Sequence, residues 1–478
     1  MKSRIILHPG LAGSLSPEDL ERAVCGDIGA VIWDPAVGQR VEASSADFER
    51  WCVNGGAVYG TTTGVGPLVS HAIDPALQQE HARNIIDHLL VGAGDPLPTA
   101  IVKAAWLLRL HTLALGFSGV RQEMLQLMAD FYSDDVWPEV PSCGSLGASG
   151  DLVPLAHLAV GFRTFSESRG FSLSAREALA LVNGTSFLTA IGALGFVRLN
   201  RLLETQEKFT GLVVRLLGSQ RDFLDPRLHE ARGHPGQIES ARRILAASGT
   251  DMPSLLRPLQ ERYSLRCTPQ ILGACREVLL WGRSVLSREI DGADDNPLVL
   301  PAEPQGIATV RHGGNFHGQI VGFVCDAMNV AATKMGSLAE RQIALMVDPQ
   351  SNGGLPPFLS NHPGALAGLA GVQLTATAVR AEMEQHVHPA SASAPESNLA
   401  NQDVVSLAFH AAWALWKQNE RLAHLCALEA ICIRRLASFS PGERDGIHSG
   451  ELPDCRHDTP CTSDVRRLAA AYLEPTGE

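Results

Sequence analysis

The stretch Pro141-Ser-Cys-Gly-Ser-Leu-Gly-Ala-Ser-Gly-Asp-Leu-Val-Pro-Leu-Ala-His157 holds residues whose types and spacing suit an unusual chemistry. Glycines at 144, 147 and 150 keep the loop uncrowded and permit strained backbone conformations. If the chain kinks so that the Gly150 nitrogen meets the Ala148 carbonyl carbon, cyclisation with loss of two waters turns Ser149 into a dehydroalanine within a five-membered imidazolone. Its exocyclic methylene is a strong electrophile, which no ordinary side chain provides. The other reading of the segment is a Gly/Ser loop that opens a helix near Pro154, and on these residues alone the two stand level. The tripeptide by itself decides nothing, because Ala247-Ser248-Gly249 repeats it at an Arg-flanked helix end.

Other chemistries fail on spacing. No lysine follows a glycine, so a phosphate-binding Gly-x-x-x-x-Gly-Lys loop is excluded. Gly64-x-Gly66 and Gly92-x-Gly94 lack the third glycine and the strand-to-helix setting of a dinucleotide site. In His229-Glu-Ala-Arg-Gly-His234 the histidines are five apart and cannot share a helix face, and Gly233 and Pro235 break the helix. His386-x-His388-Pro389 reads as a solvated helix end. The ten cysteines include no Cys-x-x-Cys pair, which disfavours disulfides and a zinc ribbon.

Long helices must position these loops. Ala100–Phe117 places Ala104, Leu107, Leu108, His111 and Leu115 near one face, and 176–218, 268–290, 317–345, 364–386 and 402–438 share the helical period. Gly/Pro-rich punctuation falls at 53–67, 91–98, 141–154, 312–318 and 349–364. The pattern predicts a mainly α protein: a bundle of long antiparallel helices with an N-terminal loop-rich α region. Residues 1–185 are expected to form that N-terminal domain, with 186–478 the central and C-terminal bundle. Of 478 residues, 45% are apolar and 19% charged, an ordinary globular composition. A net charge of −12 and no basic run exclude a nucleic-acid binder. The N-terminal apolar stretch is too short for a signal peptide and is broken by Pro9-Gly10. There is also no long uncharged apolar run, so the expectation is a cytoplasmic protein with no membrane partner.

Eight blocks in order then resemble the aromatic amino acid lyase family, the histidine, phenylalanine and tyrosine ammonia-lyases and their sister aminomutases. They are Tyr59-Gly-Thr-Thr-Thr-Gly-Val-Gly66, Gly144–His157, Leu181-Val-Asn-Gly-Thr-Ser186, Gln260-Glu-Arg-Tyr-Ser-Leu-Arg266, Asp295-Asn-Pro-Leu298, His312-Gly-Gly-Asn-Phe-His317, Leu355-Pro-Pro-Phe358 and Asn401-Gln-Asp-Val-Val-Ser406. The resemblance spans nearly the whole chain. It implies a fumarase/aspartase-like fold elongated by its long helices. It also implies a methylidene-imidazolone (MIO) prosthetic group self-formed from Ala148, Ser149 and Gly150, with no metal and no nucleotide. The fumarase/aspartase lyases proper are disfavoured because their Gly-Ser-Ser-x-Met-Pro-x-Lys signature is missing. A non-catalytic scaffold is disfavoured by the intact Tyr59, Ser149 and Arg266.

The resemblance assigns β-proton removal to Tyr59, which requires a site that favours the phenolate, since an ordinary phenol near pKa 10 is a poor base. It assigns the substrate carboxylate to Arg266, whose bidentate fork suits it. Asn183 stands near the prosthetic group and amine, Gln260 and Tyr263 complete the wall, Phe316 packs against the ring, and Asp151 assists cyclisation. Gly66 and Leu152 join the substrate-binding set, while Asn296 and Asn315 are either site residues or loop caps. His88 and Leu89 match the His-Leu pair of tyrosine ammonia-lyases, but histidine enzymes also have a histidine here, so this position alone does not choose. Gln402, which replaces the glutamate of a histidine enzyme, does, and Asn398 matches the tyrosine branch. Departures from that branch are Ala370 in place of a bulkier residue, Arg380 in place of an apolar one, and a short connection between Gly161 and Asn183. The expected reaction is L-tyrosine to p-coumarate and ammonia, in a homotetramer with shared active sites. The alternatives are a tyrosine 2,3-aminomutase or a lyase for phenylalanine, histidine or a substituted ring.

Overall fold

The computed structural model describes residues 3–7, 15–26, 28–249, 257–301, 308–439 and 461–474. These residues are mainly α, with three two-stranded sheets of short strands. They group into two compact units. The first comprises 1–194, 283–325 and 389–413, and the second 195–282, 326–388 and 414–478. Four long helices, Ser186–Leu216, Thr268–Ile290, Gln319–Val347 and Ala408–Ala437, pass in the chain from one unit into the other.

In the first unit, helix Thr99–Ala114 is buried on every side from Ile101 to Ala114. The single apolar face expected over 100–117 is therefore corrected to a central core helix, buried on all sides and largely apolar, with Lys103, Arg109 and His111 buried among its apolar residues. Trp106 packs on Phe131 and Phe162 at centroid distances of 5.1 and 5.0 Å, fastening helices Gln122–Asp134 and Leu152–Ser168 to it. Such aromatic pairs contribute about 0.5–1.5 kcal/mol beyond their burial. The expected continuous helix over 176–218 is two helices. Ala175–Val182 starts at a capping box, with the Glu177 amide on the Ser174 hydroxyl and the Ser174 amide on the Glu177 carboxylate. It stops at Asn183, whose backbone turns extended, and Ser186–Leu216 begins after Gly184-Thr185. The helices expected over 364–386 and 402–438 start later, at Ala370 and Ala408, after irregular segments rich in left-handed residues.

In the second unit, buried side chains bond across to backbone carbonyls of other helices and turns. Gln206 reaches Met335, Gln418 reaches Met383, Asn419 reaches Gly195 and Arg435 reaches Leu359 at 2.8–3.0 Å. Ser186–Leu216 is long and apolar enough to cross a membrane by composition, yet 83% of its most apolar window is buried inside the protein. It is a core helix.

Candidate active site

The first unit contains a cavity of about 770 Å³. Tyr59, Gly66, His88 and Leu89 line one part of it. Ala148, Ser149, Gly150 and Leu152 line another, with Asn183, Phe316, Asn398 and Gln402 completing it. Twelve positions singled out from sequence, spread over more than 340 residues of chain, thus meet around one space. Gln260, Tyr263 and Arg266 lie in the second unit, where they line a cleft of about 530 Å³ together with Phe223 and Leu228.

The 144–150 loop uses its glycines. Gly147 and Gly150 have φ of +66° and +67°, which L side chains rarely adopt. A Cβ on Gly150 would land on the Gly184 carbonyl oxygen, so the tripeptide lies directly against the 183–185 segment. The Asp151 amide bonds that same carbonyl at 2.8 Å. Ser149 is half-buried at the cavity wall, and its hydroxyl accepts a 3.1 Å bond from the Gln402 amide. Ser248, in the repeated tripeptide, is fully buried at the C-cap of helix Pro235–Ala247 and gives its hydroxyl to the Leu245 carbonyl.

Asp151 is buried completely. One carboxyl oxygen accepts the Ser145 hydroxyl at 2.8 Å, the other the Leu188 amide at 2.7 Å. Burial pushes this carboxyl up to about 7 in spite of those bonds. Asn183 gives its amide nitrogen to the Asn296 carbonyl at 3.0 Å. Asn296 in turn accepts the Gly313 amide at 2.8 Å and also lines the cavity, whereas Asn315, which donates to the Ala293 carbonyl at 3.0 Å, ties a loop.

Tyr59 sits in the 59–66 turn, its hydroxyl accepting the Gly66 amide at 2.7 Å and its own amide donating to His312 Nε2 at 3.2 Å. Burial pushes the phenol up, and the Gly66 N–H offsets this only in part. A site that favours the phenolate is therefore not what the groups around Tyr59 in this unit provide. His88 Nδ1 lies 2.5 Å from the Asn84 carbonyl. A carbonyl only accepts, so Nδ1 carries the proton and a neutral ring presents Nε2 as an acceptor. In the second-unit cleft, Arg266 stacks its guanidinium 4.9 Å from the ring centre of Tyr263, which is 69% exposed.

The profile of the aromatic amino acid lyases matches residues 15–452 of this sequence. The chain belongs to the aromatic amino acid lyase family. It is an enzyme, a carbon–nitrogen lyase acting on aromatic amino acids. The tyrosine ammonia-lyase of Cereibacter sphaeroides is 34% identical over 95% of this chain and 96% of its own. The histidine ammonia-lyase of Geobacillus kaustophilus is also 34% identical, over 88% of both. The solved tyrosine aminomutase of Streptomyces globisporus superposes with a TM-score of 0.89 at 28% identity, covering 98% of this chain and 97% of its own. Relatives of differing substrate thus match this lyase comparably, and substrate is a matter for individual pocket residues.

Sequence reasoning missed several residues around the site. His157 Nε2 accepts the Gly92 amide at 3.2 Å, and His312 accepts that of Tyr59. Arg109, fully buried, bonds the Asn183 carbonyl at 2.9 Å. For Arg109 the available signal was a lone arginine in the largely apolar 100–117 run, while His157 and His312 stood at the ends of two of the family-like blocks. The zincin-like His229 is spent on structure, bonded to the Phe223 carbonyl and the Gln237 amide, and Gly233 ends its helix with φ of +82°.

Proposed function

We propose that this lyase eliminates ammonia from L-tyrosine to give p-coumarate, with a methylidene-imidazolone made from Ala148, Ser149 and Gly150. The loop fits the group: both glycines flanking the alanine and serine have left-handed backbones, and Ser149 faces the cavity while Ser248 does not. When formed, the group supplies the electrophile needed to make the substrate's amino group a better leaving group. Gln402 stands beside the loop serine, Asn183 has its amide nitrogen occupied and its amide oxygen left to accept from an amine, and Tyr59, which lines the same cavity, is the proposed acceptor of the β-proton.

The observation that carries tyrosine is His88. With Nδ1 committed to Asn84, Nε2 is an acceptor at the cavity wall, matching the hydroxyl of a phenol and useless to phenylalanine. A histidine substrate would favour an acidic partner, and Gln402 is an amide. Gln260, Tyr263 and Arg266 complete the site as contributions from neighbouring subunits of a homotetramer, where Arg266 clamps the carboxylate. Such an enzyme works in the cytoplasm.

The test is to assay the wild type and His88→Phe on tyrosine, phenylalanine, histidine and a 3-hydroxylated tyrosine. Wild type should prefer tyrosine. His88→Phe should shift preference towards phenylalanine by about 1–3 kcal/mol, the penalty of an unpaired polar group. Equal wild-type rates on tyrosine and phenylalanine would remove His88 from this role, and preference for histidine would overturn the reading of Gln402. A β-amino acid product would instead identify an aminomutase.

A further inference from the structure

The peptide Asn183-Gly184-Thr185, against which the 148–150 loop is pressed, is itself gripped from behind. Arg109 Nη1 donates to the Asn183 carbonyl at 2.9 Å, and Nη2 to Asp294 Oδ1 at 2.8 Å. Asp294 Oδ2 accepts the Thr185 amide at 2.6 Å and the Thr185 hydroxyl at 3.0 Å. That hydroxyl also lies 2.7 Å from Glu289 Oε1. A Cβ on Gly184 would collide with Arg109 Nη1, just as one on Gly150 would collide with the Gly184 carbonyl. Gly184 is therefore a thin plate between a guanidinium and the tripeptide.

Proton counting defines the state of this chain of groups. Thr185 has one hydroxyl hydrogen and two carboxyl oxygens within reach. Asp294 already accepts from the Arg109 guanidinium and the Thr185 N–H, so it is the acceptor that receives the hydrogen. Glu289 must then carry a proton and donate it to Thr185 Oγ1. Burial pushes the Glu289 carboxyl up to about 7, in agreement with the geometry. The assembly Arg109–Asp294–Thr185–Glu289 is thus internally neutral, although Arg109 Nε has no hydrogen-bond partner among the described residues.

We propose that Arg109, Asp294, Thr185 and Glu289 form a clamp that holds Gly184 against Gly150 and sets the rate at which the 148–150 loop cyclises. The inference rests on the prosthetic group proposed above. In that reaction the Gly150 nitrogen bonds to the Ala148 carbonyl carbon. The carbonyl oxygen leaves as water with the amide hydrogens of Gly150 and Ser149. The Ser149 hydroxyl and Cα hydrogen leave as the second water, forming the methylene. No oxidant is required. What the first step requires is that two backbone atoms from residues on either side of Ser149 be kept closer than a relaxed loop keeps them. A rigid Gly184 carbonyl, backed by Arg109 and bonded to the Asp151 amide, denies the loop room to relax. These four side chains are positioning residues.

The experiment follows the intact mass of the full chain at timed intervals after synthesis, beside its melting curve. Conversion appears as a loss of about 36 Da, roughly two waters. Arg109→Lys keeps the charge but not the fork, and Thr185→Val keeps the shape but not the hydroxyl. Each should melt cooperatively yet convert at least about tenfold more slowly, equivalent to about 1.4 kcal/mol of barrier. Glu289→Gln retains a donor for Thr185 and should convert at the wild-type rate, whereas Glu289→Leu should not. If Arg109→Lys fails to fold, Thr185→Val and the Glu289 pair carry the comparison. Folded variants that all convert as fast as wild type would overturn the clamp alone. A wild-type chain that stays at its encoded mass would overturn the prosthetic group, and the clamp with it.

Discussion

Ser149 and Arg266 carry the sharpest consequences at the scale of single residues. Ser149 is the only member of the loop whose side chain the proposed chemistry consumes, and its hydroxyl is held by Gln402 rather than by the protein core. Ser149→Ala should fold normally, keep its encoded mass and lose nearly all activity. Full turnover in that variant would end the proposal. Arg266 stacks on Tyr263 and is proposed to hold the substrate carboxylate. Arg266→Lys keeps the charge and loses the planar fork, so kcat/KM should fall by more than about tenfold. An unchanged kcat/KM would show that the carboxylate is held elsewhere.

Two short strands govern the site at the scale of elements. Ala93–Pro96 pairs antiparallel with Pro141–Cys143, joining the segment just after His88 and Leu89 to the one just before Gly144. His157, in the second turn of the helix that follows the loop, accepts the Gly92 amide and makes a second connection. Burial lowers the basicity of His157, which keeps the ring neutral and able to accept. His157→Ala should therefore loosen the 88–92 segment more than the loop itself. The expected result is an increase in KM of about threefold to tenfold, the equivalent of one hydrogen bond, with the two-water mass loss intact. An unaltered KM for tyrosine would show that His88 is positioned without this bond.

Buried acids dominate at the scale of the whole molecule. Burial pushes Asp151 and Glu289 up to about 7 and Glu429 to about 8, from ordinary values of 3.8, 4.5 and 4.5. The folded chain thus holds three protons that the unfolded chain releases earlier as pH rises. Stability from these groups is present at low pH, declines once pH passes the unfolded values, and is lost progressively up to about pH 8. Urea midpoints should accordingly fall between about pH 5 and about pH 8, and Glu429→Gln should flatten the upper part of that decline. A midpoint that rises across the interval would contradict the sign. In the proposed tetramer, the exposed Ile320 and Phe323 on helix Gln319–Val347 offer apolar surface for association.

Sequence alone determined the family, the mainly α class and the helix Thr268–Ile290, whose observed ends equal those read from its period. It also picked out twelve residues that surround one cavity, because types such as Tyr59, Ser149 and Gln402 in ordered blocks are specific without any knowledge of contacts. Tertiary structure decided the rest. The apolar period stops at Val182 and resumes at Phe187; Asn183-Gly184 between them is a local turn signal that the helical reading of 176–218 overruns. What holds the break in place is long-range: Arg109 and Asp294, 74 and 111 positions away from it in the chain, bond the backbone of 183 and 185. Strands of three and four residues are too short to show an alternation. The two Ala-Ser-Gly tripeptides differ only in their surroundings. One caps a helix and buries its serine, and the other is pressed between a cavity and a glycine that long-range bonds hold in place. Local sequence encodes which residues are available, but the compression of one tripeptide is a property of side chains that meet only when the chain has folded.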